Sequence, residues 1–245
     1  YTGLDHKLRE THLRFDPIPQ HLTARRAEYT LDLAPGQTKV LFIEVACAGL
    51  PPITTGRRAF LRAFLNARRG LRACANRTAA ISTSNQILNE ALQRSVADLY
   101  MLCTETPEGL YPYAGIPWFS TVFGRDALIT AMQTLWFDPT IAHGVLRHLA
   151  ANQATTFDSA ADAEPGKILH ELRRSEMAEL GEVPFRRYYG SVDSTPLFVM
   201  LAGAYLDRTD DITTLNALWP NIEAALTWIE HHGDRDRDGF VEYHR

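Results

Sequence analysis

The 245-residue sequence predicts a mainly α protein of stacked α-hairpins, preceded by the end of a β domain. Three observations carry this prediction. Alternating apolar residues and a β-rich run fall within the first fifty positions. From Arg58 onward the apolar period becomes that of a helix, and the later helices come in pairs with no strand pattern between them. A net charge of −4 with 45% hydrophobic and 22% charged residues is that of an ordinary globular chain, with length for one large domain or two small ones. Disordered, collagen-like and disulfide-miniprotein classes are excluded.

Taking the elements in order, Leu13 to Leu22, with Pro17 and Pro19, suits a loop or edge strand. Tyr29, Leu31 and Leu33 alternate with polar residues, Pro35-Gly36 makes a turn and Val40 to Val45 follows, so a hairpin is expected, closed by Pro51-Pro52. Phe60, Phe64 and Ala67 then recur at helical spacing among arginines, an amphipathic connector whose basic residues form a solvated face. Thr83 with Gln86 resembles a capping box ahead of a helix carrying Ile87, Leu88, Ala91, Leu92, Val96, Leu99 and Cys103. A helical pair is predicted over Asp126–Phe137 and Ile141–Ala150, the first stopped before Pro139. After a polar loop from Gln153 to Gly190 come helices through Leu197, Leu201 and Tyr205 and through Ile222, Leu226 and Ile229.

Several function classes fall away on composition. A mildly acidic chain argues against a phosphate-tracking surface as the main function, the basic run Arg57 to Arg77 being the one exception, so no nucleic-acid partner is expected. No apolar run approaches the roughly 18 residues that cross a bilayer, and no membrane partner is expected. The chain begins at Tyr1 without a signal segment and reads as a piece of something longer. Cys47, Cys74 and Cys103 are widely spaced, with no CxxC and no combined Cys and His cluster, so the sequence predicts no metal, no cofactor and a reducing, cytoplasmic setting. Asp234-Arg235-Asp236-Arg237-Asp238-Gly239 superficially matches a calcium loop, but its twelfth position is Arg245 where a bidentate acid is needed, and a charged turn is the preferred reading.

Three loops hold the chemistry. Tyr111 to Asp126 is aromatic-rich and ends in Arg125-Asp126 where a helix begins. Aromatic faces such as Trp118 beside charged hydrogen-bonding groups suit a pyranose, which shows C–H patches on its faces and hydroxyls around its rim. Asp126 as a plain helix N-cap and Trp118 as a packing residue is the alternative. A second loop, Glu164 to Asp193, contains Lys167, His170, Glu171, Arg173, Arg174, Arg186, Arg187, Tyr188 and Tyr189, and loops of this length are usually functional or disordered. Asp193 has two readings, an N-cap with Pro196 in the first turn or a carboxylate aimed into a cleft.

The runs Gly115-Ile116-Pro117-Trp118-Phe119, Phe123-Gly124-Arg125-Asp126, Gly190-Ser191-Val192-Asp193 and Asp238-Gly239-Phe240-Val241-Glu242-Tyr243, in that order, resemble bacterial proteins of the glycogen debranching, amylo-α-1,6-glucosidase type. Gly3-Leu4-Asp5 and Leu8-Arg9-Glu10-Thr11 are similar to the end of the β domain that precedes the catalytic domain there. The resemblance implies residues 1–52 as the tail of that β domain, 53–82 as a helical linker, and 83–245 as the first half of an (α/α)6 toroid of the six-hairpin glycosidase type.

It further implies an inverting hydrolase of α-glucosidic bonds in an α-glucan, in which one carboxyl protonates the leaving oxygen and another activates water, about 6.5–9.5 Å apart. Trp118, Arg125, Asp126, His170, Glu171 and Tyr189 are then expected to bind the sugar. Asp193 is either the general acid or a second sugar-binding carboxylate, and a helix N-terminus, which favours the charged carboxylate, leans to binding. A rival acid is expected downstream of Glu242. Six hairpins need more chain than follows Ser82, so the base is expected in the other half, and Leu197, Leu201 and Tyr205 are expected to lie on a helix face left uncovered. A non-catalytic carbohydrate-binding or scaffold protein, or a hydrolase of another small α-glycoside such as trehalose, are the alternatives.

Overall fold

Strand β1 (His12–Asp16) pairs antiparallel with β4 (Phe42–Ala46), with Arg14 directly opposite Glu44 and their side chains in a 2.9 Å ion pair. Between them, β2 (His21–Leu22) and β3 (Ala27–Glu28) form a small hairpin of their own. The expected pairing of Tyr29–Leu33 with Val40–Val45 is therefore not made, although the turn is: Gln37 N donates to Ala34 O and Gly36 takes the positive φ that a glycine after proline allows. Phe42–Val45 finds its partner in β1 instead, and of the two readings of the Leu13 stretch the edge strand is the one made over Leu13 to Asp16, since β1 lies in a two-stranded sheet.

The computed structural model describes residues 1–47 and 55–242 and groups the chain into two units, Tyr1–Ala73 and Cys74–Arg245. Pro51-Pro52, Tyr243 and Arg245 lie outside the described residues. Helix α1 (Gly56–Arg77) runs across the division. Within the first unit its start is fixed by Gly56 N donating to Asp16 Oδ2, and Phe60 packs on Phe42 with ring centroids 5.9 Å apart.

In the second unit α2 (Gln86–Leu102) is capped by Asn85, whose Oδ1 accepts from Ile87 N and Leu88 N, rather than by Thr83, which bonds to Asn89 instead. Two strand pairs that hydropathy does not announce interrupt the helices. β5 (Cys103–Thr106) and β6 (Gly109–Pro112) form a tight hairpin directly after α2, and β7 (Val122–Phe123) pairs with β8 (Glu171–Leu172). Helices α3 (Gly124–Thr134) and α4 (Pro139–Ala151) then make the expected pair, with Asp138 capping α4 through Thr140 N.

The long loop carries a short α5 (Glu176–Glu179), after which α6 (Ser194–Thr209) and α7 (Ile212–Trp228) form the second helical pair. Ala127, Leu128 and Ala131 of α3, Ile141, Val145 and Leu149 of α4, Phe198 and Leu201 of α6 and Leu218 and Ile222 of α7 meet in one core. Leu201 and Tyr205 are buried there, which corrects the expectation that they lie on an uncovered face. The architecture is mainly α, preceded by β-domain residues. Among the described residues no helix is long and apolar enough to cross a membrane.

Candidate functional site

The site is assembled where three loops are pinned to one another. Tyr111, fully buried on β6, donates its hydroxyl to Phe123 O at 2.8 Å. Burial pushes that phenol well above its ordinary value, with the Asp126 charge adding to the effect, so the group stays a donor. One residue on, Gly124 N donates to His170 O at 2.8 Å, and a Cβ at Gly124 would stand 1.9 Å from Leu169 O. Only glycine allows α3 to begin this close to the second loop. Gly190 is under a similar constraint, since a Cβ there would meet the Tyr188 hydroxyl at 2.1 Å.

Helix α3 begins at Gly124, with Phe123 as its N-cap residue, so Asp126 is not a cap but sits in the first turn, where the helix dipole favours a carboxylate. It borders a cleft of about 250 Å3 with Pro112, Tyr113, Ala114 and Ile129. At α6 the cap position belongs to Asp193, yet its side chain makes no capping bond. Ser191 does that work instead, accepting from Ser194 N at 3.3 Å and donating to Asp193 Oδ1 at 2.5 Å. The second oxygen, Oδ2, is thereby left facing Arg125 Nη1 at 3.6 Å, an ion pair whose side chains are 48% and 40% exposed.

His170 sits beside this pair, half-buried, its ring edge-on to Phe123 and Tyr188. Burial lowers its pKa below the ordinary value; Arg125 adds to this, while Glu171, Asp126 and Asp193 oppose it. Its Nδ1 is buried without a hydrogen-bond partner among the described residues. Glu171, 6% exposed, is held by the Arg173 guanidinium, and Arg173 also donates from Nη1 to Trp118 O at 3.2 Å. Arg173 therefore ties the aromatic loop to β8, with its guanidinium 5.9 Å from the Phe123 ring.

Of the residues singled out from sequence, Arg125, Asp126, His170, Glu171 and Asp193 share one charged neighbourhood, and Trp118, 77% exposed, is linked to it through its backbone carbonyl, which accepts from Arg173. Tyr189 stands apart. It is buried and donates its hydroxyl to Asn152 O, while the adjacent Tyr188 is the one against His170. Sequence reasoning did not single out Tyr188 or Arg173 from the loop's other charged and aromatic residues. Arg173 carried a signal, since it follows Glu171 at the strand spacing that keeps alternate side chains on one face; Tyr188 is placed by the backbone bonds it exchanges with Glu171, which the sequence does not show. That exchange closes a neck, Tyr188 N to Glu171 O at 2.9 Å and His170 N to Tyr188 O at 2.8 Å, from which residues 173–187 project as one loop.

Lys167 and the acidic loop near the C-terminus are separate features. Lys167 is buried, donates to Asp162 O and lies over the Trp228 ring, a structural arrangement. Asp234, Asp236, Asp238 and Glu242 place carboxylate oxygens within 4.8 Å of one another, so Glu242 joins the three aspartates. Several of these oxygens accept backbone N–H groups of the turn itself, including those of Asp238, Gly239 and Phe240.

Residues 1–44 match the family described as the N-terminal domain of some glycogen debranching enzymes. Comparison with curated proteins gives no match.

Proposed function

We propose that this chain belongs to a glycoside hydrolase that acts on α-glucosidic bonds of an α-glucan, and that residues 83–245 form the first half of its (α/α)6 catalytic toroid. The observation that carries the proposal is the Arg125–Asp193 pair at 3.6 Å, which joins the first turns of two helices from different hairpins into one solvent-facing polar site. Fixed donors on Arg125 and acceptors on Asp126 and Asp193, with the exposed Trp118 on the loop that leads into them, are the complement of a pyranose rim and face. The match of residues 1–44 to a debranching-enzyme domain supports a glycogen-related substrate.

In this reading Asp126 and Asp193 bind sugar hydroxyls. Asp193 already accepts from Ser191 and faces Arg125, so it is placed to orient a hydroxyl between the two. Trp118 supplies a stacking face, and Glu171 holds Arg173 and through it the Trp118 backbone. Inverting hydrolysis needs a positioned acid and base, which this reading assigns to other carboxylates of the toroid. The test is calorimetric titration with maltotriose of the wild type, Arg125→Gln and Asp126→Asn. Losses of at least tenfold in both variants are expected, since charge-assisted hydrogen bonds contribute about 1.5–3 kcal/mol each. Equal affinity in all three folded proteins overturns the assignment.

A further inference from the structure

Asp193 occupies the cap position of α6, yet its backbone lies in the right-handed helical region, at φ −95° and ψ −23°, rather than in the extended region of a capping residue. The usual donors for a capping carboxylate are the N–H groups of the second and third helical residues, here Thr195 and Pro196. Proline has no N–H, so one of the two is missing. Ser191, itself 7% exposed, takes the N–H of the first helical residue, Ser194, at 3.3 Å. Of the donors in this first turn, only Thr195 N is left to draw Asp193 back onto its own helix.

The hydroxyls of Ser191 and Ser194 settle into one arrangement. Paired with Arg125, the Asp193 carboxylate is an acceptor, so Ser191 donates to its Oδ1 at 2.5 Å. A hydroxyl oxygen accepts two bonds, and those of Ser191 come from Ser194 N and from the Ser194 hydroxyl 2.8 Å away, which is therefore the donor of that pair. Ser194 is fully buried and lies against the start of α3, its Oγ 3.4 Å from where a Cβ on Gly124 would stand. Thr195, also fully buried, accepts from Ile168 N at 2.9 Å and ties the same turn to the second loop. Two buried hydroxyls thus anchor one oxygen of a solvent-facing carboxylate, and Oδ2 is left toward Arg125.

We propose that Ser191 is a positioning residue of the sugar site. By holding Oδ1 of Asp193 it sets the direction of Oδ2, the oxygen left to accept a sugar hydroxyl beside Arg125, and Ser194 fixes the sense of that hold by donating to Ser191. The proposal rests on the sugar-binding reading of Asp193, whereas the anchoring itself belongs to the protein without a ligand. Neither serine needs to touch the sugar. Because Ser191 acts through Asp193, its effect on binding exists only where that carboxylate does.

The experiment compares the full chain with Ser191→Ala, Ser191→Thr, Asp193→Asn and Ser191→Ala combined with Asp193→Asn. Two quantities are read: maltotriose affinity by calorimetry, and the 13Cγ shift of Asp193 in the ligand-free protein at pH 7, assigned by its loss in Asp193→Asn. Ser191→Ala should weaken maltotriose by about fivefold, the size of one ordinary hydrogen bond, and Ser191→Thr, which keeps the hydroxyl, should restore it. Added to Asp193→Asn, Ser191→Ala should weaken binding no further. The Asp193 signal should move in Ser191→Ala and return in Ser191→Thr. A role confined to capping α6 would instead weaken binding equally with and without the carboxylate and leave its signal in place, and either result overturns the proposal. A wild type that does not bind maltotriose counts against the sugar reading, and the carboxyl signal then decides by itself: moved and rescued supports the positioning role, unmoved overturns it. Should Ser191→Ala not fold, Ser194→Ala keeps the cap acceptor and removes the donor to Ser191; a smaller shift of the same sign is expected there, and none overturns the proposal.

Discussion

The hydroxyl of Tyr111 donates to the carbonyl of Phe123 at 2.8 Å, so a core tyrosine holds the residue from which the Arg125-Asp126 turn departs. Tyr111→Phe removes the donor and leaves a buried carbonyl unsatisfied. A loss of about 1–3 kcal/mol is expected in urea unfolding. Because the lost bond fixes the entry to α3, maltotriose affinity should weaken in the same variant while it is still folded. A variant of unchanged stability would show that Phe123 O has another partner.

Gly124→Ala tests the packing of α3 against the second loop. The added Cβ meets a backbone carbonyl, that of Leu169, at 1.9 Å, and backbone cannot swing aside as a side chain can. Destabilisation in the upper part of the usual range, about 2–4 kcal/mol, is expected by thermal or chemical unfolding. Gly36→Ala, at a positive-φ turn with open space around it, should cost less, about 1 kcal/mol. Reversal of that order would disprove the close approach.

A buried carboxylate gives the second unit an acid limb. Asp138 accepts from Tyr100 at 2.5 Å and from Thr140, and Arg77 lies 3.6 Å away. Burial works to raise its pKa, but these hydrogen bonds and Arg77 outweigh it and hold the carboxyl below its ordinary value. A depressed folded pKa means stability that is present above the unfolded value near 3.8 and is lost as pH falls through the folded one. Unfolding free energy measured from pH 6 to pH 2 should therefore fall less steeply for Asp138→Asn than for the wild type. At pH 7 the variant should be weaker by about 1–3 kcal/mol. Parallel pH profiles would remove Asp138 from this role.

The cysteines should separate by reactivity. Burial pushes the Cys103 thiol up to about 12, whereas Cys47 is exposed. Iodoacetamide at pH 8, followed by peptide mass spectrometry, should label Cys47 faster than Cys103 in the native protein, and unfolding should narrow the difference, since the thiolate is the nucleophile. Equal labelling rates in the native state would contradict the raised pKa of the half-buried Cys103.

The helices were legible because their apolar residues recur on one face over three or four turns, as Ile141, Val145 and Leu149 do on α4. Strands of two to four residues leave no such trace. β5 follows α2 without a break, and its only cue is the turn Thr106-Pro107-Glu108-Gly109, closed by Gly109 at positive φ. The expected hairpin near Pro35-Gly36 failed for a related reason: alternation identifies a strand but not its partner, and β4 pairs with β1 across the whole of β2 and β3. At the site, Arg125 and Asp193 each stood out by their place at the start of a helix, while Ser191, whose hydroxyl accepts from Ser194 N although Asp193 holds the cap position, was hidden by the nearby Asp193.

The neck closed by Glu171 and Tyr188 makes the outer part of residues 173–187 an exchangeable cassette. His170 and Glu171 are held by backbone bonds at its base, and Arg173 N donating to Phe185 O together with the Phe185 ring against Tyr188 extends that base, so the exchangeable part is the stretch between Arg174 and Pro184, with Arg173 kept to hold Trp118. Grafting loops of other lengths between Arg174 and Pro184 is therefore a route to altering which substituents the rim admits while keeping Phe185 and the charged floor beneath it.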